Sequence, residues 1–132
     1  MSLDEIESKL PNGFHDAKIV SIFRDLRAER VDVHLEILVG LPDDAPQEQN
    51  KMTPAVLRFT GVKILIIEQP DVDSSFVSHE DVSFLLTEDE PDSLPADLLL
   101  KLRSEFHTYT FFIQDWYSNI RLAARALEFF WT

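Results

Sequence analysis

The chain predicts an α+β fold, mainly an antiparallel, twisted β-sheet with a short N-terminal helix, on three observations. Residues 31–39 alternate without a break: Val31, Val33, Leu35, Ile37 and Val39 share one face, and Asp32, His34 and Glu36 share the other. That is the pattern of a half-buried strand. A second apolar segment precedes it across the short polar stretch LRAER at 26–30, so the two are expected to pair as a hairpin. Finally, 132 residues of which 45% are hydrophobic fit one domain over 1–132, and a chain of this size buries roughly two-thirds of its unfolded surface on folding.

Taken in order, Leu3, Ile6 and Leu10 fall at helical spacing behind Ser2 as N-cap, with Glu5 three residues on, which predicts a short helix. Pro11-Asn12-Gly13 ends it as a turn and sets Phe14-His15-Asp16 at the hairpin entrance. In the strand over 17–25, Ile19 and Phe23 lie on one face and Val20 and Ile22 on the other, as expected of a strand partly covered on both sides. Residues 41–54 hold three prolines and several acids and amides, and read as a loop. Over 55–68 the enrichment in Val, Ile and Phe favours strand. Leu57 and Phe59 share one face there while Val62, Ile64 and Ile66 take the opposite parity, so a bulge or bend is expected at Gly61.

Residues 71–81 read as an irregular connection, and Val82, Phe84 and Leu86 as a short strand running into an acidic turn at 88–92. Ser93 caps an expected further helix over 94–104, with Leu98, Leu102 and Phe106 on one face. Residues 106–113 form an aromatic strand and 114–119 a turn. The last segment is ambiguous. Trp116, Ile120, Ala123, Leu127 and Phe130 obey helical spacing, while Ile120, Leu122, Ala124 and Ala126 alternate. The aromatic strand and polar turn before it favour a closing hairpin, so a strand is expected.

Charge and composition bound the function. There are 24 Asp plus Glu against 12 Lys plus Arg, a formal net of −12. Such a field repels phosphate backbones and anionic membranes, which disfavours nucleic acid and membrane surfaces as partners, and it attracts basic proteins. Acidic surfaces also keep proteins dispersed with no partner involved. The absence of cysteine excludes disulfides, thiolate metal sites and cysteine nucleophiles. The opening MSLDEIESKL carries acids where a signal peptide needs a basic region, and no apolar run is long enough to span a bilayer. A cytoplasmic location is therefore expected, although a cysteine-free chain is also compatible with export.

Three constellations could carry chemistry. His15 beside Asp16 could act as a general-base pair or bind a ligand. Adjacent side chains on an extended chain diverge, however, so the turn would have to bring them together; otherwise Asp16 serves turn amides and His15 packs or faces solvent. Asp32, His34 and Glu36 share a strand face and could converge on a cation, but a further ligand would have to come from a neighbouring strand, and alternating polar residues are the usual solvent face of a strand. Trp116 and Tyr117, in a polar turn, could anchor a partner, against the simpler reading that they pack the hairpin end. His79-Glu80-Asp81 and His107 are not specific. No glycine-flanked serine elbow and no glycine-rich phosphate loop is present, so neither a hydrolytic triad nor a nucleotide or other cofactor is expected.

The G-F-H-D-A run over Gly13–Ala17, the L-R-F-x-G-V run over Leu57–Val62 and, loosely, Phe111–Trp131 resemble small bacterial domains, some of them grouped with immunity proteins, the intracellular antidotes to secreted toxins. The resemblance implies a mainly antiparallel α+β domain with no catalytic residues to carry over. The leading functional expectation is a non-enzymatic protein-binding module that meets a basic partner, and the resemblance implies an inhibitor of the immunity type. The alternatives are a small enzyme or metal-dependent binder built on His15/Asp16 or Asp32/His34/Glu36, and a structural homo-oligomer paired through sheet edges.

Overall fold

The computed structural model describes residues 1–70, 82–89 and 106–132. In chain order the elements are helix α1 (Leu3–Ser8) and strands β1 (Pro11–Phe14), β2 (Lys18–Asp25), β3 (Arg30–Leu38), β4 (Met52–Thr60), β5 (Ile64–Ile67), β6 (Phe84–Asp89), β7 (His107–Ile113), β8 (Ser118–Ala124) and β9 (Ala126–Trp131). Strands 2, 3, 4 and 9 form one four-stranded sheet and 5, 8, 7 and 6 a second, each in that order, with every pairing antiparallel. The antiparallel sheet and the short N-terminal helix are as expected of the α+β class, with the described residues nearly all β and α1 the only helix among them. The further helix over 94–104, the connection over 71–81 with His79-Glu80-Asp81, and most of the acidic turn at 88–92 lie outside the described residues. Among the described residues no helix is long and apolar enough to cross a membrane.

Helix α1 starts where expected, with Ser2 Oγ accepting from the Glu5 amide at 3.2 Å. It buries Leu3 and Ile6. The expected turn forms, the Gly13 amide donating to the Leu10 carbonyl at 3.3 Å with Gly13 at φ +54°, and the same residues are strand β1, pinned by Asn12 Nδ2 donating to the carbonyls of Leu38 (3.1 Å) and Gly40 (2.9 Å). The hairpin joining β2 and β3 forms as expected. Asp25 Oδ1 accepts from the amides of Arg27 and Ala28, and Glu29 takes a positive φ of 51° before Arg30 pairs with Asp25.

The expected two-sided cover of β2 is also corrected. Its register against β3 shifts between Ile19 and Ser21, leaving Val20 as the extra residue. That bulge reverses parity, so Ile19 opposite Leu35 and Ile22 opposite Val33 both pack on the core, while Val20 and Phe23 are exposed.

Among the described residues the chain passes from one sheet to the other at the corner between β4 and β5, opposite that between β8 and β9. The β4–β9 ladder ends at Thr60 opposite Ala126, and the β5–β8 ladder resumes at Ile64 opposite Ala123. One side therefore has one residue more than the other between the two ladders, and Gly61 sits there with φ +63° and its Cα against the Arg125 side chain. The bend is where expected, but Leu65, not Ile64 or Ile66, packs on the core. The parity change falls on the opposing strands, where Ile120, Leu122 and Ala124 are followed by Leu127. That break explains why helical and strand spacing tie over 116–130. The β-strand expectation holds.

Between the sheets Phe59 meets Tyr109 (ring centroids 5.1 Å) and Phe111 (6.0 Å), and Phe84 meets Phe111 (5.4 Å) and Phe14 (6.0 Å). Edge-on and tilted aromatic packing of this kind joins the two sheets in one core.

Candidate functional site

Strand β1 hands over to β2 through a turn in which the Ala17 amide donates to the Phe14 carbonyl at 3.0 Å. Phe14 is buried in the core, which fixes the base of this turn. Asp16 takes φ +60°, a left-handed conformation that Asp tolerates better than most residues. The unusual φ does what an extended chain cannot: it brings two adjacent side chains together, His15 Nδ1 lying 3.0 Å from Asp16 Oδ2. Both side chains are largely in water, 78% and 67% exposed. Among the described residues no turn amide donates to the Asp16 carboxylate, whose near neighbour is the histidine ring.

The pair stands on the rim of a groove of about 590 Å³. Its walls come from α1 (Glu7), β1 (Asn12), the start of β6 (Ser83 to Thr87) and Gln114. Two carboxylates, Glu7 and Asp16, line it, and no Lys or Arg does among the described residues. Partial burial, and then the neighbouring Asp4 carboxylate, push the Glu7 carboxyl above the ordinary range. Lys18 lines an adjoining hollow of about 350 Å³ that shares Asp16 and Ser83.

Gln114 opens the turn between β7 and β8, and its amide donates to the Ser83 carbonyl at 3.4 Å. The turn carries Trp116 and Tyr117. Trp116 is half-buried and packs against the core. Tyr117, at φ +49°, is 71% exposed. Its ring stands edge-on to Phe112 at 5.9 Å, and Phe112 pairs across strands with Leu85, itself exposed and a wall of the groove. His15, Asp16 and Tyr117 are therefore linked through Leu85 and Phe112 into one surface, a groove with an apolar ledge. Glu7, Leu85 and Phe112 were not singled out from sequence. The signal for two of them was present, since Leu85 and Phe112 are apolar residues at the solvent parity of otherwise alternating strands.

The other constellations separate. Asp32 is bound by both nitrogens of the Arg58 fork, Nε to Oδ1 at 2.9 Å and Nη2 to Oδ2 at 3.1 Å. This bond raises the Arg58 pKa, chiefly through the hydrogen bond to Asp32. Arg58 lies directly opposite Asp32 in register, while His34 lies opposite Ser21 and Val56, and Glu36 opposite Lys18 and Pro54. Among the described residues no three His, Asp or Glu side chains are placed to hold a metal ion. His107 Nδ1 meets Glu88 Oε1 at 2.9 Å as a separate surface pair. No family model, no curated protein and no solved structure matches the chain.

Proposed function

We propose that the protein is a non-enzymatic protein-binding module that receives a basic segment of its partner at the groove of Glu7, His15 and Asp16. The observation that carries this reading is one juxtaposition: a groove lined by carboxylates with no Lys or Arg among its described residues, beside a ledge of exposed Leu85 and Tyr117 and half-buried Phe112. A Lys or Arg side chain would offset the partial burial, and then the Asp4 charge, that hold the Glu7 carboxyl above its ordinary range, and an apolar neighbour in the partner would cover the ledge. The formal charge of −12 steers such a partner toward the molecule. The immunity-protein resemblance points to a toxin as that partner, and this identification rests on the resemblance alone.

The test is capture from a lysate of the cells that make the protein, loaded at low salt and eluted along a salt gradient. The reading predicts one basic protein in stoichiometric amount, released as salt screens the charges over about 8 Å. Binding indifferent to salt would contradict it. A second reading, a hydrolase, is favoured by Ser83 lining the same groove as the His15–Asp16 pair. Among the described residues no hydrogen bond joins Ser83 to His15, so the hydroxyl is not activated as it stands. Ester hydrolysis abolished by both Ser83→Ala and His15→Ala would establish that reading instead.

A further inference from the structure

The outer face of the first sheet carries neither the groove nor the ledge, yet it leaves Phe23 and Phe130 59% and 39% exposed. Register places both there. Phe23, Asp32, Arg58 and Glu128 form one cross-strand row, and Ser21, His34, Val56 and Phe130 form the next. The two rings sit on opposite edge strands, three strand spacings or about 14 Å apart. Val56 between them is already buried, and the Arg58 guanidinium lies 5.2 Å from the centre of the Phe130 ring.

The charge on this face differs from that of the molecule. Lys18, Arg30 and Arg58 stand among Asp25, Asp32, Glu36 and Glu128, so cations nearly balance carboxylates. Both signs stand side by side, Arg30 opposite Asp25 with its Nη2 3.9 Å from that carboxylate and its Nε 3.7 Å from Asp32 in the neighbouring row.

We propose that a second copy of this chain covers this face, forming a two-fold symmetrical dimer. A chain of net charge −12 repels its own copies. The face where cations and carboxylates alternate is where that repulsion is weakest and where like can meet like with opposite charges in register. A two-fold axis between β3 and β4 turns Phe23 of each copy onto Phe130 of the partner subunit, an isologous contact with an aromatic pair at each end. The ion pairs of Asp32 and Arg58 fall at its centre. Four strands of about six residues give a footprint of about 19 Å by 20 Å. That is small beside a standard protein interface, so the dimer is weak and concentration-dependent. Its salt dependence is opposite to that of the groove: salt screens the overall repulsion and strengthens the dimer.

The test is sedimentation velocity of the full chain from micromolar to millimolar concentration at low and high salt. The sedimentation coefficient should climb toward that of a dimer with concentration, and more steeply at high salt. Phe23→Ser and Phe130→Ser, each checked for an unchanged circular dichroism spectrum, should move the midpoint to at least about tenfold higher concentration. Hydrogen exchange needs no variant, and should show protection over 20–25 and 126–131 rising with concentration. A monomer at millimolar concentration and high salt would overturn the proposal, as would a dimer indifferent to both substitutions. Neither result bears on the groove, whose partner binding is read at low salt and low concentration.

Discussion

Asp32 and Asp16 are the same residue in two opposite states. Asp32 sits mid-strand, directly across from Arg58, and its carboxylate is almost covered and gripped by both prongs of the guanidinium. Asp16 sits in a left-handed turn, largely in water, with the histidine beside it 3.0 Å away. Sheet register supplies Asp32 with a partner from another strand and makes it structural. A turn supplies no such partner, so Asp16 is left with its outer lone pairs open to whatever enters the groove.

Breaking the Asp32 side of this contrast should have the largest effect. Arg58→Ala leaves a nearly buried carboxylate without its fork, and a fall in melting temperature of about 10 °C is expected in a thermal scan. Replacing both partners, Asp32→Asn with Arg58→Met, should recover most of that fall, because no charge is then stranded.

The Asp16 side should respond less, and through the backbone. Asp16→Ala puts a plain Cβ at φ +60° and should cost about 1 kcal/mol in urea denaturation, whereas Asp16→Gly should be neutral or slightly stabilising. His15→Ala should change stability by less than about 0.5 kcal/mol, since both members of the pair are exposed.

Glu7 gives the smallest and most diagnostic shift. Its folded-state pKa is raised, so the folded protein keeps that proton longer than the unfolded chain does. Stability should therefore fall as pH rises through the window just above 4.5, and the deficit persists at neutral pH. Glu7→Gln should remove that slope and stabilise the neutral protein by at most about 0.5 kcal/mol. A stability gain without the loss of slope would show that Glu7 acts through packing.

The strands were legible wherever parity stayed constant. β3 alternates over its whole length and reads directly, as do β6 and the aromatic β7. Two strands hid a change of parity. Val20 adds one residue to β2, which made Ile19 and Ile22 look like opposite faces, and the corner at Arg125 made β8 and β9 look as helical as extended. Such changes depend on which residue of the partner strand lies opposite, and a single chain does not carry that information. The site was legible in parts. Adjacency marked His15 and Asp16, but their convergence depends on one positive φ. Leu85 and Phe112 stood out only once the core parity of their strands was known, because an exposed apolar residue is recognised by the face it fails to join.

The most direct test of the account is a parallel capture at low salt with three immobilised proteins of equal melting temperature: the native chain, His15→Ala combined with Tyr117→Ser, and Phe23→Ser. The same salt-released basic protein is expected on the native chain and on Phe23→Ser, and its loss from the His15/Tyr117 variant. Equal recovery from all three would contradict the assignment of the groove and its ledge as the docking surface.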